Sequence, residues 1–238
     1  RSLLLGAIVS ADKKYSFDSV LAKILGYETV KYPPYDENIH YVDKVLKLVP
    51  DALSSKSKPW LQSSVEEKNI FQKKYPDLTK PYVVVSPYSA WGTKMWPEEN
   101  YFKVVEKILQ NTDYDIVLTG SAADANSSEK KNRNTNSRVK NLIGKTTVND
   151  LKVLIENSKL LLANDSAPIH IAAAFNIPVV AVFGPTVKKW GFFPLSEKAI
   201  VCEVSTPLDC RPCSLHGPKT CPQGHFRCMK EVSVDQVW

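Results

Sequence analysis

The residues best suited to chemistry run Asn164-Asp165-Ser166-Ala167-Pro168-Ile169-His170. Asp165 and Ser166 are both good N-cap residues and Pro168 suits a first helical turn, so a helix should begin here. Such a start aims backbone N–H groups and the positive end of the helix dipole outward, an arrangement that binds pyrophosphate. His170, one turn in, can add a donor to the same anion. An ordinary capped helix with a structurally satisfied histidine would carry the same residues. Two neighbours shift the reading toward a binding edge: Ala172 to Ala174 allow close packing on a sheet, and Phe183-Gly184-Pro185-Thr186 forms a turn nearby.

A second group lies in Ser86-Pro87-Tyr88-Ser89-Ala90-Trp91-Gly92-Thr93-Lys94-Met95-Trp96-Pro97. Ser89 and Thr93 offer hydroxyls, Gly92 permits close backbone approach, and Lys94 is a point charge suited to a phosphate. The spacing of a Walker loop is absent. On its own the stretch would read equally as a solvated lysine before a tryptophan that packs a helix start. Gly120-Ser121 and Gly144-Lys145-Thr146-Thr147 add two further loops. Gly120 would let a base or ribose approach and Thr146 would line the pocket.

The cysteines form a third group, with Cys210-Arg211-Pro212-Cys213 followed by Cys221 and Cys228, and with His216 and His225 interspersed; Cys202 stands apart. A Cys-x2-Cys knuckle plus two more thiolates could supply four tetrahedral zinc ligands, although the second pair lacks knuckle spacing. We take them as reduced or conditionally paired thiols, with zinc as the alternative.

These groups sit at the ends of an alternating pattern. Tyr82 to Ser86 is a β-branched run closed by Pro87, Asp115 to Thr119 a second strand, Val139 to Ile143 a third, Leu160 to Ala163 a fourth and Val179 to Phe183 a fifth. Helices fit between them: Phe102, Val105, Ile108 and Leu109 after Pro97-Glu98-Glu99, then Thr147 to Asn157, then Ala167 to Phe175. The order implies a parallel, doubly wound sheet with ligands beyond the carboxyl ends of its strands. Residues 1–60 show helical patterning around Val20 to Leu25 and Ile39 to Leu48 without full alternation, and read as part of a domain. Residues 61–80, with Gln62, Ser63, Ser64, a charge cluster and Pro76, read as a linker to a second domain over 81–238.

A chain with 43% hydrophobic and 24% charged residues is an ordinary globular one. Its apolar runs fall far short of the roughly 20 residues a membrane helix needs. The chain opens on Arg1 rather than Met, and Leu3 to Val9 lacks the flanks of a signal peptide, so Ser2 to Ser10 reads as a helix or strand already inside a domain of a longer protein. A charge of +6 favours phosphates, anionic lipid surfaces or nucleic acid without choosing among them. The absence of an Arg-rich stripe interleaved with aromatics argues against nucleic acid, and Lys130 to Arg138 reads as a solvated loop.

The segment 164–170 and the stretch Pro178 to Thr186 resemble glycosyltransferase family nine, which includes the ADP-heptose:lipopolysaccharide heptosyltransferases. The tail Leu208 to Cys213, then Cys221-Pro222, Gly224-His225 and Cys228-Met229, is similar to the family's second heptosyltransferase branch, as is Lys94-x-Trp96-Pro97. The likeness is specific over 81–238, where four separated motifs keep the family's order, and weaker over 1–60.

What the resemblance implies is an α/β, GT-B type architecture of two Rossmann-like domains, the N-terminal one incomplete. Ser89 and Lys94 would meet the donor's diphosphate; Asp165, Ser166, Ala167 and His170 would surround diphosphate and sugar; Gly120 and Thr146 would lie near adenosine. Ala167 replaces the glycine usual in that motif. Lys94 and His170 would be the catalytic pair, stabilising the leaving group of an inverting transfer that uses neither metal nor cofactor. The family's expected base, an Asp in a Gly-Asp motif early in the acceptor domain, has no counterpart, and Asp12 and Asp18 lack that motif. The implied partners are an ADP-sugar donor and a lipopolysaccharide or lipid-linked sugar acceptor, not nucleic acid. The implied location is cytoplasmic, with peripheral contact at the inner membrane. A GT-B enzyme using another nucleotide sugar, or a nucleotide-sugar-binding domain without catalysis, would leave the same motifs.

Overall fold

The computed structural model describes residues 2–33, 39–48, 58–125 and 136–238. They form two compact units: the described part of Arg1–Ser57 with Lys188–Phe192, and Lys58–Val187 with Phe193–Trp238.

The smaller unit contains α1 (Ser2–Ile8), β1 (Tyr15–Phe17), α2 (Val20–Ile24), β2 (Glu28–Val30) and α3 (Tyr41–Leu46). β1 and β2 pair in parallel, Tyr15 opposite Glu28, with α2 as the crossover. Ser19 caps α2 by accepting from the Ala22 N–H at 3.1 Å, and His40 caps α3 through Nδ1, which accepts from the Val42 N–H. Residues 188–192 belong here because the Tyr41 N–H donates to the Gly191 carbonyl at 2.8 Å and the Tyr41 ring stacks on Phe192. The sequence reading had left them inside the 81–238 domain; the excursion is invisible in the sequence because it depends on partners far away in the chain.

The larger unit runs α4 (Val65–Lys74), β3 (Tyr82–Ser86), α5 (Glu98–Asn111), β4 (Asp115–Leu118), β5 (Val139–Asn141), α6 (Val148–Glu156), β6 (Leu160–Asn164), α7 (Ala167–Ala174), β7 (Val179–Phe183), β8 (Ala199–Glu203), α8 (Arg227–Lys230) and α9 (Val234–Val237). Its six strands lie in the order β5-β4-β3-β6-β7-β8, and every neighbouring pair is parallel. The strand sequence runs outward from β3 to one edge, then returns to β6 and runs to the other. Crossovers therefore leave β3 and β6 in opposite directions, and a crevice opens between their carboxyl ends.

Side-chain alternation along β3 feeds two cores. Val83 and Val85 join Ile116, Leu118, Leu162 and Val182 beneath Tyr101, Val104, Val105 and Ile108 of α5, with Met229, Val232 and Val237 from the chain's end. Tyr82 and Val84 face the other way and join Val117, Leu161, Ala163 and Ala181 beneath Phe71 of α4, Val153 to Ile155 of α6, and Ile169 and Ala172 of α7. Each fully buried aliphatic or aromatic side chain of this kind contributes about 1.5–3 kcal/mol.

Two differences from the sequence reading stand out. Residues 61–80 are no linker: Ser64 and Glu67 form a reciprocal capping box that starts α4, and Phe71 anchors the helix in the core. A sixth strand, β8, extends the expected five. The expected Lys130 to Arg138 loop falls mostly outside the described residues; Arg138 itself is described, and its guanidinium binds the carbonyls of Leu109 and Thr112 at the end of α5.

Candidate functional site

The crevice between β3 and β6 is where the first two residue groups meet. The loop from Pro87 to Pro97 leaves β3, and Asp165-Ser166 leads from β6 into α7. Asn164, fully buried, ties the two together: its Oδ1 accepts from the Trp96 N–H at 2.9 Å and its Nδ2 donates to the Pro87 carbonyl at 2.8 Å. Trp96 is itself fixed, its indole N–H donating to the Val232 carbonyl at 3.0 Å and its ring set edge-on to Tyr101.

Lys94 is therefore delivered to the mouth of the sheet, where its Nζ lies 2.6 Å from Asp165 Oδ2. With side chains only 12% and 7% exposed, the pair is largely desolvated, so it is not the solvated lysine that this loop could have held. The Thr186 hydroxyl donates to the same Asp165 oxygen at 2.7 Å. Asp165 is thus no N-cap, as its residue type had suggested; its carboxylate is committed to the lysine and the threonine.

Ser166 occupies the N-cap position in extended backbone geometry, but its hydroxyl turns back to the Asn164 carbonyl at 3.2 Å and no side chain caps α7. The Ala167 N–H is consequently left without a capping side chain at the positive end of the helix, the disposition that favours an anion, while Pro168 has no N–H and the Ile169 N–H donates back to the Ser166 carbonyl at 3.2 Å. His170 stands accessible on the first turn. The protein packed around its ring lowers the imidazole pKa below the usual value, nearby Asp165 raises it and Lys94 lowers it, and the net shift is downward. The accessible surface is what a ligand would meet; the packing sets the neutral form as the resting state near pH 7.

The other loops line the same sheet edge. The Gly144 N–H donates to the Gly120 carbonyl at 3.0 Å, which sets the 144–147 turn beside the end of β4. Thr146 precedes Thr147, whose capping box with Asp150 starts α6. The missing side chain of Gly120 is needed by protein, since an added Cβ would come within 2.9 Å of the Tyr88 ring, and the Tyr88 hydroxyl in turn donates to Glu98. At Gly92 an added Cβ would sit 2.9 Å from the Lys219 carbonyl, so the close approach expected there is made by the chain's own tail. Ser89 accepts from the Trp91 N–H at 3.3 Å and shapes the loop ahead of Lys94.

The sequence reading missed the parts played by Asn164 and Thr186. Both stand inside segments it singled out: Asn164 closes the buried strand β6 with a polar residue, the one signal available from sequence, whereas Thr186 lies in the turn three residues after β7.

The tail packs over these loops. Arg211 donates to the carbonyls of Phe183, Gly184 and Thr186 and pairs with Glu203 at 2.7 Å; the Cys213 N–H donates to the Pro185 carbonyl at 3.0 Å; Thr93 donates to the Pro218 carbonyl. All five cysteines are unpaired, and among the described residues no group of three or more His, Cys, Asp or Glu side chains is arranged to hold a metal ion. Cys210 Sγ lies 3.8 Å from His225 Nε2 and Cys213 donates to the Cys210 carbonyl, while burial pushes the Cys202 and Cys228 thiols up to about 11. Among the described residues no helix is long and apolar enough to cross a membrane.

Residues 1–220 match the family model described as glycosyltransferase family 9 (heptosyltransferase). The chain is 32% identical over 165 residues to lipooligosaccharide heptosyltransferase 2 of Campylobacter jejuni, covering 66% of this chain and 49% of that protein. It is similar to the solved structure of Escherichia coli ADP-heptose lipopolysaccharide heptosyltransferase II, with a TM-score of 0.58 and 28% identity over 72% of this chain and 55% of the other. A family 9 glycosyltransferase structure from Veillonella parvula shares the fold over 99% of this chain and 67% of its own, with a TM-score of 0.77 at 19% identity. The α/β, GT-B type fold expected from the motifs holds. The chain spans about half the length of the curated relatives it matches.

Proposed function

The chain belongs to glycosyltransferase family 9, and on that premise we propose that it carries the donor site of an inverting glycosyltransferase moving a heptose from ADP-heptose to a lipopolysaccharide inner-core acceptor. The observation that carries the reading is the convergence of Lys94, Asp165, His170 and the uncapped start of α7 at the crevice between β3 and β6. The names of the relatives supply the identity of the donor and acceptor; the residue chemistry supports only a nucleotide diphosphate.

An acceptor hydroxyl, giving up its proton to a general base, attacks the anomeric carbon directly; the bond to the diphosphate breaks and charge builds on the departing ADP. Lys94 exchanges part of its contact with Asp165 for a phosphate oxygen, the backbone N–H groups of Ser166 and Ala167 ahead of and at the start of α7 donate to a second, and His170 donates to a third. Gly120 and Thr146 lie toward the adenosine, and Ser89 supports the diphosphate. This electrostatic role needs no metal or cofactor. A net charge of +6 suits an anionic acceptor, and the enzyme would work in the cytoplasm, at the cytosolic face of the inner membrane where such acceptors are built.

The test is ADP release from a panel of nucleotide sugars with and without lipopolysaccharide acceptor, for the protein and its Lys94→Ala variant. A unit charge 4 Å from a phosphate is worth about 4 kcal/mol at an effective dielectric constant near 20. Allowing for the Asp165 contact given up, we expect turnover to fall about 100-fold, with the fold retained. Equal ADP release by the variant would refute the assignment, and release from a non-adenine donor alone would move the site to another sugar nucleotide.

A further inference from the structure

We propose that Thr186 is a positioning residue for the Lys94–Asp165 pair and that Arg211, from the cysteine-rich tail, holds Thr186 in place; the inference rests on the donor-site reading and extends it. Asp165 Oδ2 accepts two hydrogen bonds, one from Lys94 at 2.6 Å and one from Thr186 at 2.7 Å. A carboxylate held by the lysine alone can turn about its side-chain torsions and carry the ammonium with it. The second bond, from a residue in the turn that follows β7 and only 3% exposed, fixes those torsions and so the point at which the ammonium meets a phosphate.

Thr186 is held in turn by its backbone. The guanidinium of Arg211 donates to the Thr186 carbonyl at 2.8 Å, to Phe183 at 3.4 Å and to Gly184, and its charge is balanced by Glu203. The tail also fixes the opposite loop, since Thr93, the residue before Lys94, donates to the Pro218 carbonyl. One strap therefore sets both walls between which Lys94 and Asp165 meet. None of its contacts requires a thiol.

The test is ADP affinity by titration calorimetry, which needs neither sugar nor acceptor. Loss of one charge-assisted hydrogen bond corresponds to about tenfold. Thr186→Val should weaken ADP binding about tenfold, Thr186→Ser should return it to within about threefold of the parent, and Thr186→Val should cost nothing further in a Lys94→Ala background. Arg211→Lys, which keeps the charge beside Glu203 but cannot reach three carbonyls, should weaken binding in the same Lys94-dependent way and serves if Thr186→Val does not fold. Unchanged binding by Thr186→Val, a serine variant as poor as the valine, or the same loss with and without Lys94 would overturn the positioning role and leave the donor site standing. Failure of the parent protein itself to bind ADP would overturn the donor-site reading and this proposal with it.

Discussion

Replacing Asn164 with alanine tests how the two halves of the site are joined. The side chain is fully buried and makes two hydrogen bonds, from the Trp96 N–H at 2.9 Å and to the Pro87 carbonyl at 2.8 Å. Alanine removes both at once. Trp96 is 1% exposed and Pro87 is buried, so neither orphaned group can turn to solvent. Each buried orphan costs about 1–3 kcal/mol, and the chain can relax only in the loop, which suggests a combined loss of about 3 kcal/mol. With a urea dependence of about 2 kcal/mol per molar, the unfolding midpoint should fall by about 1.5 M at constant slope. Asn164→Asp separates the two bonds: it keeps an acceptor for Trp96 but opposes a carboxylate to the Pro87 oxygen, and should be no more stable than the alanine variant. A midpoint shift below about 0.3 M for Asn164→Ala would show that the loop does not depend on this strut.

Two pH dependences follow from the site and its scaffold. His170 has a lowered pKa in the free protein, so an anion beside it must raise that pKa and binding must take up a proton. The affinity of the parent for ADP relative to His170→Ala should therefore rise as pH falls through the bound pKa and level off below the free one; a ratio flat from pH 8 to 5 in calorimetry would contradict it. Asp150 shows the opposite sign: burial raises its pKa, but hydrogen bonds from Lys74 at 2.6 Å and from Thr147 outweigh this and hold it below 3.8. Its contribution to stability is present above the unfolded pKa and lost as pH falls through the folded one. Asp150→Asn should cost about 1 kcal/mol at pH 7 and progressively less as pH falls below 3.8 in urea melts, and a cost that does not decline with pH would mean the ion pair is not the source.

The sheet was legible wherever burial is two-sided. Tyr82 to Ser86 is buried at every position, and a strand covered on both faces has to be a continuous apolar run. The edges were less legible: β5, half-buried throughout, was read from its Val139 to Ile143 run, whereas β8, with a mixed, half-exposed face around Ala199 to Glu203, was not. α4 escaped because VEEKNIFQKK carries a single buried anchor, Phe71, among charges; Ser64 and Glu67, three apart, were the available cap signal. In the candidate site, residue type alone singled out Lys94 and the start of α7, because a cation and a helix start favour an anion wherever they are placed. Asn164 and Thr186 act only through partners: Asn164 through Pro87 and Trp96, Thr186 through Asp165 and Lys94. No local pattern encodes a strut of that kind.

The same distinction accounts for the cysteine-rich tail. Its residue types point to sulfur chemistry, yet burial holds the Cys228 thiol near 11 and raises Cys213 as well, so both thiols rest protonated at neutral pH and are poor nucleophiles in that state. What reaches the site from this segment is a guanidinium, the Cys213 N–H and the Pro218 carbonyl. Backbone groups and one arginine can fix two loops against each other at any redox state, whereas a thiolate cluster would make donor binding depend on oxidant or metal. If Arg211 holds Thr186 as proposed, the tail acts on the site by geometry, and Arg211 is the residue in it whose replacement the site should register.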